Sequence, residues 1–321
     1  MITLKEHIGV VLSPSDQEFD KFGSAFGCVL HEERESTWCL YYTGSIDKSW
    51  SNASIGVATS KDGVNFAKYP SNPILSMGKQ SVTPAIFRAS NDYWMVFALE
   101  PVMGHGRRLG IAVASNAFGP WTFVKQLIQP DKPWEGDSID VGPSIVPVDD
   151  DYLVFYSNVE GGFFSRHIFG QKSIRRRMGI LKLKVSNGRE IQFRRWEGNP
   201  LSHLNGERGS WNESLFCPGY FRLHETHYLL PTGSIYSVGH PYKQYIGIVE
   251  DSSPTFEHPF SVRLLIDGPK EKNKILPTAR SEIALDTPCP LMRQNELWLY
   301  YAVMDRADGI WKTALSIFLV D

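Results

Sequence analysis

One short pattern recurs along this chain, and it constrains the fold more than any other feature. A proline opens an apolar strand, and an aromatic-rich strand begins nine residues later. The copies are PAIFRASND-YWMVF from Pro84, PSIVPVDDD-YLVFY from Pro143, PGYFRLHET-HYLLP from Pro218 and PCPLMRQNE-LWLYY from Pro288. GCVLHEEREST-WCLYY from Gly27 is a slightly longer copy without the proline. Because self-similarity at a fixed period marks repeat architectures, the chain is predicted to repeat one supersecondary unit.

A third strand follows each pair, as in SIGVATS, RLGIAVAS, RMGILKLK, YIGIVED and GIWKTALSIF. With a polar edge strand after it, each unit reads as a four-stranded meander, and meanders repeated radially form a β-propeller. The prediction is an all-β, five-bladed β-propeller in one domain, 1–321, and near-equal spacing argues against two stacked sandwiches. The expected blades cover about 20–78, 79–135, 136–208, 209–278 and 279–321, with the N-terminal segment closing the ring.

Two connections between predicted blades carry a resemblance to known proteins. SKDGVNFAKYPSNPIL (60–75) and FRRWEGNPLS (193–202) combine an aromatic edge strand with Asn-Pro-aliphatic before the next inner strand, and an S-x-D-G turn precedes the first. The chain thereby resembles five-bladed glycosidase propellers, the superfamily of glycoside hydrolase families 32, 43 and 130. The resemblance covers nearly the whole chain, although its motifs are those of the fold and assign no single family. It implies carboxylate acid/base chemistry in a central funnel and an oligosaccharide or glycoconjugate substrate.

The same resemblance gives roles to two acids near the starts of inner strands. Asp140 corresponds to the supporting aspartate of the third blade, and Glu213 corresponds to the glutamate proton donor of the fourth. Both depart from the usual spacing, since Asp140 stands three residues before its proline and Glu213 stands five before Pro218. Asp140 could instead be a turn former, and Glu213 could be a surface loop residue.

The catalytic base is open at this stage. The first blade offers Ser24 and Gly27 where the resemblance implies an aspartate. Asp16 or Asp20 could reach in from the preceding segment, or Asp286 of the fifth blade could substitute. Asp286 could also hold the closure between the first and last blades.

Aromatic residues are expected in a sugar site because sugars present apolar ring faces. Trp134, Trp211 and Trp50 fall in connections that lead toward inner strands, so they are candidate platforms, with loop packing as the alternative. Three further tryptophans occupy the repeated second-strand position and are predicted to be core residues: Trp38, Trp94 and Trp298.

Two basic stretches, GHGRRLG (104–110) and SRHIFGQKSIRRRMG (165–179), fall between second and third strands. They could recognise an anionic sugar or a phosphate, or they could remain solvated loops. The candidates are Arg107, Arg108, Arg166, His167, Arg175, Arg176 and Arg177. In the closing unit, Asp305 and Arg306 could bond sugar hydroxyls or hold the ring closed.

The composition argues against several other functions. A net charge of −2 gives no general electrostatic case for nucleic acid or an anionic membrane, and no apolar run approaches the ~20 residues of a membrane span. The four cysteines form no CxxC pair, and the N-terminus lacks a signal-peptide pattern, so a cytoplasmic location with reduced thiols is expected. No metal-ligand spacing or cofactor motif is present, although the sequence leaves open a cation on the propeller axis.

These observations predict a carbohydrate-active, glycosidase-like enzyme. Two alternatives stay open: a catalytically silent propeller that binds a glycan or a protein, and a phosphate-dependent glycoside phosphorylase. The lack of a first-blade aspartate favours the silent propeller, and the arginine-rich loops favour the phosphorylase.

Overall fold

The computed structural model describes residues 1–16, 18–32, 36–102, 104–159, 175–186, 190–235 and 243–320. Nearly all regular structure in these residues is β-strand, organised in antiparallel meanders. The first strand of each meander is called its inner strand.

Strand β1 (Ile2–Leu12) precedes the meanders. The first meander contains β2 (Gly23–Glu32), β3 (Thr37–Ser45), β4 (Ala53–Ser60) and β5 (Ala67–Lys68). The second contains β6 (Gln80–Ala89), β7 (Asp92–Glu100), β8 (Arg108–Ala114) and β9 (Thr122–Ile128). The third contains β10 (Ile139–Val148), β11 (Asp151–Asn158), β12 (Met178–Val185) and β13 (Ile191–Arg195). The fourth contains β14 (Ser214–Leu223), β15 (Thr226–Ile235), β16 (Lys243–Asp251) and β17 (Ser261–Ile266). The last contains β18 (Ile283–Arg293), β19 (Glu296–Asp305) and β20 (Trp311–Val320).

The N-terminal strand completes the last meander, because β1 pairs antiparallel with β20 from Ile2 opposite Val320 to Leu12 opposite Thr313. The last meander also packs on the first. Trp298 stacks on Trp38 with ring centroids 5.3 Å apart, and the Tyr300 hydroxyl donates to the Gly63 carbonyl at 2.8 Å. The two ends of the repeat therefore meet in one packed layer.

Apolar side chains between neighbouring meanders form the core. The second strands are almost entirely buried because the sheets cover both of their faces, which explains their near-continuous apolar sequences. Trp38, Trp94 and Trp298 are at most 6% exposed, so the structure places all three in the core as the sequence predicts. The four cysteines are buried and form no disulfide.

In the described residues, helical structure is confined to short connections. Helix α1 (Gly268–Ile275) begins with Pro269 in its first turn and packs against β1 and β18; the repeat gave no indication of it. Two 3-10 turns lie at Pro133–Glu135 and Ser202–Leu204. Within the described ranges, no helix has the length and apolar character that crossing a membrane requires.

Candidate functional site

A bulge interrupts every inner strand at the same point of the repeat. The pairing register shifts after Ala25, Val82, Val141, Phe216 and Asp286. In four meanders the bulge begins with a non-glycine residue at φ between 43° and 54°, a conformation that costs free energy and is often found at functional sites. These four residues line one central cavity: Phe26, Thr83, Cys217 and Thr287.

Close backbone packing explains why the bulge of the first meander continues with glycine. A Cβ atom added to Gly27 would lie 1.7 Å from the carbonyl oxygen of Tyr41, so no larger residue fits there. The other meanders have proline after or within the bulge, as at Pro84, Pro218 and Pro288, and proline suits a position that donates no ladder hydrogen bond. The repeated Gly or Pro that opens each copy in the sequence is therefore a bulge residue.

A hydroxyl on the second strand ties one meander to the next. The Thr43 hydroxyl accepts the N–H of Thr83 at 2.9 Å, and the Thr232 hydroxyl accepts the N–H of Thr287 at 3.0 Å. Ser157 accepts the N–H of Cys217 at 3.3 Å in the same way. Each hydroxyl satisfies a buried backbone donor of the following bulge, which would otherwise destabilise the fold.

We call the pair formed by this second-strand position and the inner-strand residue opposite it the inner rung. The bulge of the third meander has one extra residue. Its inner rung is therefore the pair before Val141–Tyr156, which is the last pair ahead of the register shift. The inner rungs are Ala25–Thr43, Val82–Ala98, Asp140–Ser157, Phe216–Thr232 and Asp286–Ala302. Asp140 and Asp286 thus occupy equivalent positions of two meanders, although their distances from the following proline differ.

The third strand of each meander sends one side chain toward the inner rung of the next meander. This residue stands two positions before the third-strand residue that pairs with the second-strand member of its own inner rung. It is Ala53, Arg107, Arg176, Gln244 and Trp311 in successive meanders. We call each meeting of this residue with the next meander a junction.

The junctions form the wall of the cavity, and their chemistry divides it in two. On one side, Ala53 shares an apolar cluster with Val82, and the Trp311 ring lies 4.6 Å from the Phe26 ring. Trp50 joins this side, with its ring 5.2 Å from Phe26. The other side carries the charged and amide side chains, so the cavity of about 210 Å³ has an apolar half and a polar half.

The second junction of the wall is an ion pair. Nη1 of Arg107 donates to both carboxylate oxygens of Asp140, at 2.9 and 2.8 Å, and Nε of Arg107 donates to Gln80 at 2.7 Å. Asp140 is 5% exposed, and its charge is compensated by the guanidinium, as a buried carboxylate requires.

The fourth junction holds the equivalent carboxyl group with neutral donors. Asp286 accepts the N–H of Thr287 at 2.7 Å and the side chains of Thr232 and Gln244, each at 3.3 Å. Burial raises the pKa of Asp286, while Arg176 opposes that rise and Asp140 adds to it. Two carboxyl groups on equivalent rungs therefore have different environments: one has an arginine and the other a glutamine at the same junction position.

Arg176 lies at the third junction, between those two carboxyl groups. It is 6% exposed, its guanidinium lies 3.6 Å from the centroid of the Phe216 ring, and its Nε donates to the Asn158 carbonyl at 2.8 Å. The neighbouring Cys217 thiol is buried in the wall, and this burial raises its pKa to about 12. A thiol with so high a pKa stays protonated, which argues against a nucleophilic role.

Glu213, the proton donor implied by the resemblance, lies just before β14 and outside the residues that line the cavity. It is 7% exposed, and its carboxylate accepts the N–H of Gly209 at 2.8 Å. The structure therefore places Glu213 in a turn beside the site.

Asp20, a candidate base, also lies outside the cavity lining, and Asp16 is exposed. Asp20 is fully buried and forms an ion pair with Lys68 of β5. Glu135 repeats this arrangement two meanders later, where it pairs with Arg195 of β13 at 2.7 Å.

A tyrosine lies beside the carboxylate in each of these two ion pairs. Tyr156 donates its hydroxyl to Glu135 at 2.8 Å, and burial together with Asp20 raises the pKa of Tyr42. Since Glu135 has the same kind of partners and neither acid lines the cavity, we interpret Asp20 as an internal structural carboxylate.

All three candidate tryptophan platforms pack on glycines within their own meander. A Cβ atom on Gly179 would lie 2.6 Å from the ring of Trp134, and one on Gly247 would lie 2.2 Å from the ring of Trp211. A Cβ atom on Gly23 would lie 2.2 Å from the ring of Trp50, and Trp50 also lines the cavity. The structure therefore brings one of the three platforms into the site.

The other substrate-binding candidates are dispersed. Asp305 accepts backbone N–H groups of Arg280, at 2.7 Å, and Ser281, at 3.2 Å, in the loop before β18. Those hydrogen bonds lower the pKa of Asp305 to about 2, as a turn-holding carboxylate requires. Arg306 follows it outside the cavity lining, and Arg166 and His167 lie outside the described residues.

The structure adds residues that sequence reasoning did not select. Phe26, Trp311, Thr43 and Gln244 line the cavity or bond its carboxyl groups. Only their position in the repeat could have identified them from the sequence, since each is a bulge, rung or junction residue. Among the described residues, no group of three or more His, Cys, Asp or Glu side chains is placed to hold a metal ion.

Comparisons with known proteins show similarity to solved structures with the same kind of fold. No family model and no curated protein matches the sequence. Solved structures do match: the complex of BT0996 with RGII has a TM-score of 0.67 at 11% identity, covering 98% of this protein and 92% of its counterpart. Arabinanase Arb43A of Bacillus subtilis has a TM-score of 0.57 at 16% identity, covering 92% and 96%.

A third neighbour is Zg3597, a family 117 glycoside hydrolase from Zobellia galactanivorans, with a TM-score of 0.58 at 13% identity over 98% and 90% of the two proteins. At these identities the likeness concerns the fold. The chain has a β-propeller-like, nearly all-β fold shared with glycoside hydrolases, which confirms the sequence prediction at that level.

Proposed function

We propose that this chain is a glycoside-hydrolase-like enzyme on a five-bladed propeller whose blades are the meanders and whose active site is the central cavity. The observation that carries the proposal is the pair of equivalent-rung carboxyl groups, Asp140 and Asp286, in one cavity with different partners. Pairs of titratable groups whose surroundings differ in this way mark acid and base roles in enzymes.

In this proposal Asp286 is the proton donor. Its raised pKa favours the protonated carboxyl that a leaving glycosidic oxygen requires. Asp140 is the second carboxylate, which stabilises positive charge at the sugar or orients the attacking water. Arg107 keeps that carboxylate in one orientation through two hydrogen bonds.

The apolar half of the cavity suits the ring face of a sugar. Trp50, Phe26 and Trp311 are half-buried, and the Phe26 ring contacts Trp50 edge-on and Trp311 in a tilted arrangement. Flat aromatic surface beside hydrogen-bonding side chains is the combination that carbohydrate sites use. A glycan is accordingly the proposed ligand, and the glycoside hydrolase neighbours support that choice.

A second candidate function is sugar binding without turnover. One observation favours it: the first meander, where the resemblance implies an aspartate base, offers Ala25 at the inner rung and Phe26 at the bulge. Phosphorolysis is a further variant, because Arg107 and Arg176 line the same cavity.

The test is a release assay on aryl furanosides, aryl pyranosides and short oligosaccharides, with and without inorganic phosphate. Asp286→Asn and Asp140→Asn should each lower turnover by about 100-fold or more and leave a folded protein. Asp251→Asn is the matched control, since Asp251 is a buried carboxylate that holds a turn away from the cavity. Glu213→Gln should retain activity.

Each outcome separates the candidates. Turnover in buffer that both cavity variants abolish supports hydrolysis, and turnover only with phosphate supports phosphorolysis. Sugar binding without turnover on any member of the panel supports the binding function. Loss of activity in Glu213→Gln, with both cavity variants active, would refute the assignment of Asp286 as the acid.

A further inference from the structure

The three polar junctions of the cavity wall differ at one position. At the second and fourth junctions, Arg107 and Gln244 reach a carboxyl group on the inner rung of the next meander. At the third junction the equivalent rung residue is Phe216, and Arg176 lies over its ring. The wall thus brings two guanidinium groups to one cavity, and the middle rung position holds an aromatic ring in place of a third acid.

Arg107 keeps hydrogen-bonding capacity for a ligand. Its Nε and Nη1 bond Gln80 and Asp140, while its Nη2 has no hydrogen-bond partner in the parts of the chain that the structure describes. The side chain is 24% exposed and lines the cavity, so this nitrogen is accessible. An arginine fork with free N–H groups is suited to a carboxylate or a phosphate oxygen.

The charge balance of the described lining residues points the same way. The charged groups among these residues are two guanidiniums, Arg107 and Arg176, and two carboxyl groups, Asp140 and Asp286. Burial raises the pKa of Asp286 and so disfavours its negative charge, whereas arginine keeps its charge at any physiological pH. Both guanidinium charges of this lining are therefore permanent, whereas one of its two carboxylate charges is disfavoured.

We infer that the cavity selects a sugar that carries an anionic group, with its ring on Trp50, Phe26 and Trp311 and its charge beside Arg176 and Arg107. The inference deepens the proposed function by naming the class of glycan, and it rests on that function for the sugar itself. A carboxylate of a uronic acid and a phosphate ester present the same chemistry to the two arginines, so both are included in the test.

Binding measured by tryptophan fluorescence tests the inference without requiring turnover, because Trp50 and Trp311 line the cavity. The probes are matched pairs of glucuronate with glucose and galacturonate with galactose, together with glucose 6-phosphate and inorganic phosphate alone. One charged hydrogen bond contributes about 1.5–3 kcal/mol, so an anionic sugar should bind at least tenfold more tightly than its neutral partner.

Arg176→Gln should reduce that ratio to about one. Arg177→Gln is the matched control, because Arg177 is the next residue in the chain and does not line the cavity. Arg107→Lys provides a second variant, in which the ion pair with Asp140 is kept while the fork is lost. It should weaken the anionic sugars about tenfold even where Arg176→Gln fails to fold.

Equal affinity for the anionic and neutral members of each pair would overturn the inference, as would an anionic preference that survives both arginine variants. Inorganic phosphate that binds as tightly as the sugars would indicate a simple anion pocket and would also overturn it. Hydrolysis of neutral glycosides alone would refute this inference while leaving the proposed function intact. Binding of uronates with no turnover on any substrate would support this inference and refute the proposed enzymatic function.

Discussion

Replacing Gln244 with arginine should lower the pKa of Asp286, because the fourth junction would then resemble the second. Gln244 and Arg107 occupy the same junction position, and each donates to the carboxyl group on the following inner rung. The Gln244 amide lies 3.3 Å from Oδ2 of Asp286, so an arginine fork can reach that oxygen. The substitution exchanges a neutral donor for a cation and leaves the carboxyl in place.

The size of the effect follows from the separation of the charges. Opposite unit charges about 4 Å apart attract by about 4 kcal/mol at an effective dielectric constant near 20. Desolvation of the new guanidinium and repulsion from Arg176 offset part of this attraction. A carboxyl group next to arginine still loses its proton more readily by tenfold or more in most proteins. Gln244→Arg should therefore weaken proton binding at Asp286 at least tenfold.

Carbon-13 NMR of protein labelled at the aspartate carboxyl carbons measures this directly. A pH titration follows each carboxyl, and Asp286→Asn identifies the signal. Gln244→Leu is the control for lost hydrogen bonding without added charge, and in it the pKa of Asp286 should stay above the ordinary value of 3.8. In the enzyme assay, Gln244→Arg should reduce turnover at neutral pH, since the proposed acid would be ionised.

Stability provides a second readout with a definite sign. A carboxyl whose pKa is raised by folding stabilises the folded state below its unfolded pKa, and this contribution is lost as pH rises through the folded pKa. The wild-type protein should therefore lose stability with rising pH across that interval more than Gln244→Arg does. An unchanged Asp286 titration in Gln244→Arg, or a fall of equal size in Gln244→Leu, would refute the reasoning.

Two further predictions concern the repeated contacts. Thr43→Val removes the acceptor of the buried Thr83 N–H without changing side-chain volume, so the free energy of unfolding in urea should fall by about 1–3 kcal/mol. Thr122→Val, at an exposed strand position, should change it little, and equal effects of the two would contradict a role for the hydroxyl. Asp20→Asn and Glu135→Gln each break a buried ion pair and should each cost roughly 3 kcal/mol, with sugar binding unchanged. A stable Asp20→Asn protein that has lost all turnover would instead identify Asp20 as the base.

The repeat predicts much of this architecture because the same physical constraint recurs in each copy. Pro84, Pro218 and Pro288 each follow a bulge residue directly, so counting from proline locates the inner strand and its return. Burial of the second strands on both faces gives their apolar, aromatic composition. Both signals are local, so they can be recognised in a single sequence.

The site is less predictable because it depends on register. Asp140 stands three residues before Pro143 and Asp286 stands two before Pro288, yet both lie on inner rungs, since the third bulge has one extra residue. Distance from a proline therefore misjudges which acids face the cavity. Glu213, four residues before the bulge residue Cys217, lies ahead of its strand and outside the cavity lining.

Third-strand glycines carry a signal for two of the three tryptophans. Trp134 and Trp211 lie over third-strand glycines of their own meanders, Gly179 and Gly247, where any side chain would collide with the indole ring. In the third and fourth meanders, the third-strand glycine therefore marks the tryptophan of the preceding connection as a packing residue. Trp50 packs on the inner-strand Gly23 and also lines the cavity, and the sequence alone shows no reason for the second contact.

The paired residues of the second and fourth junctions belong to different sheets, and this has an evolutionary consequence. Arg107 and Asp140 are 33 positions apart in the chain, and Gln244 and Asp286 are 42 apart. A change at either member alters the charge of the wall unless its partner also changes. Among homologous chains, substitutions should therefore be correlated between these distant positions, and each junction could diverge separately. Such a lineage could acquire new ligands by exchanging one pair at a time while its blades stayed the same.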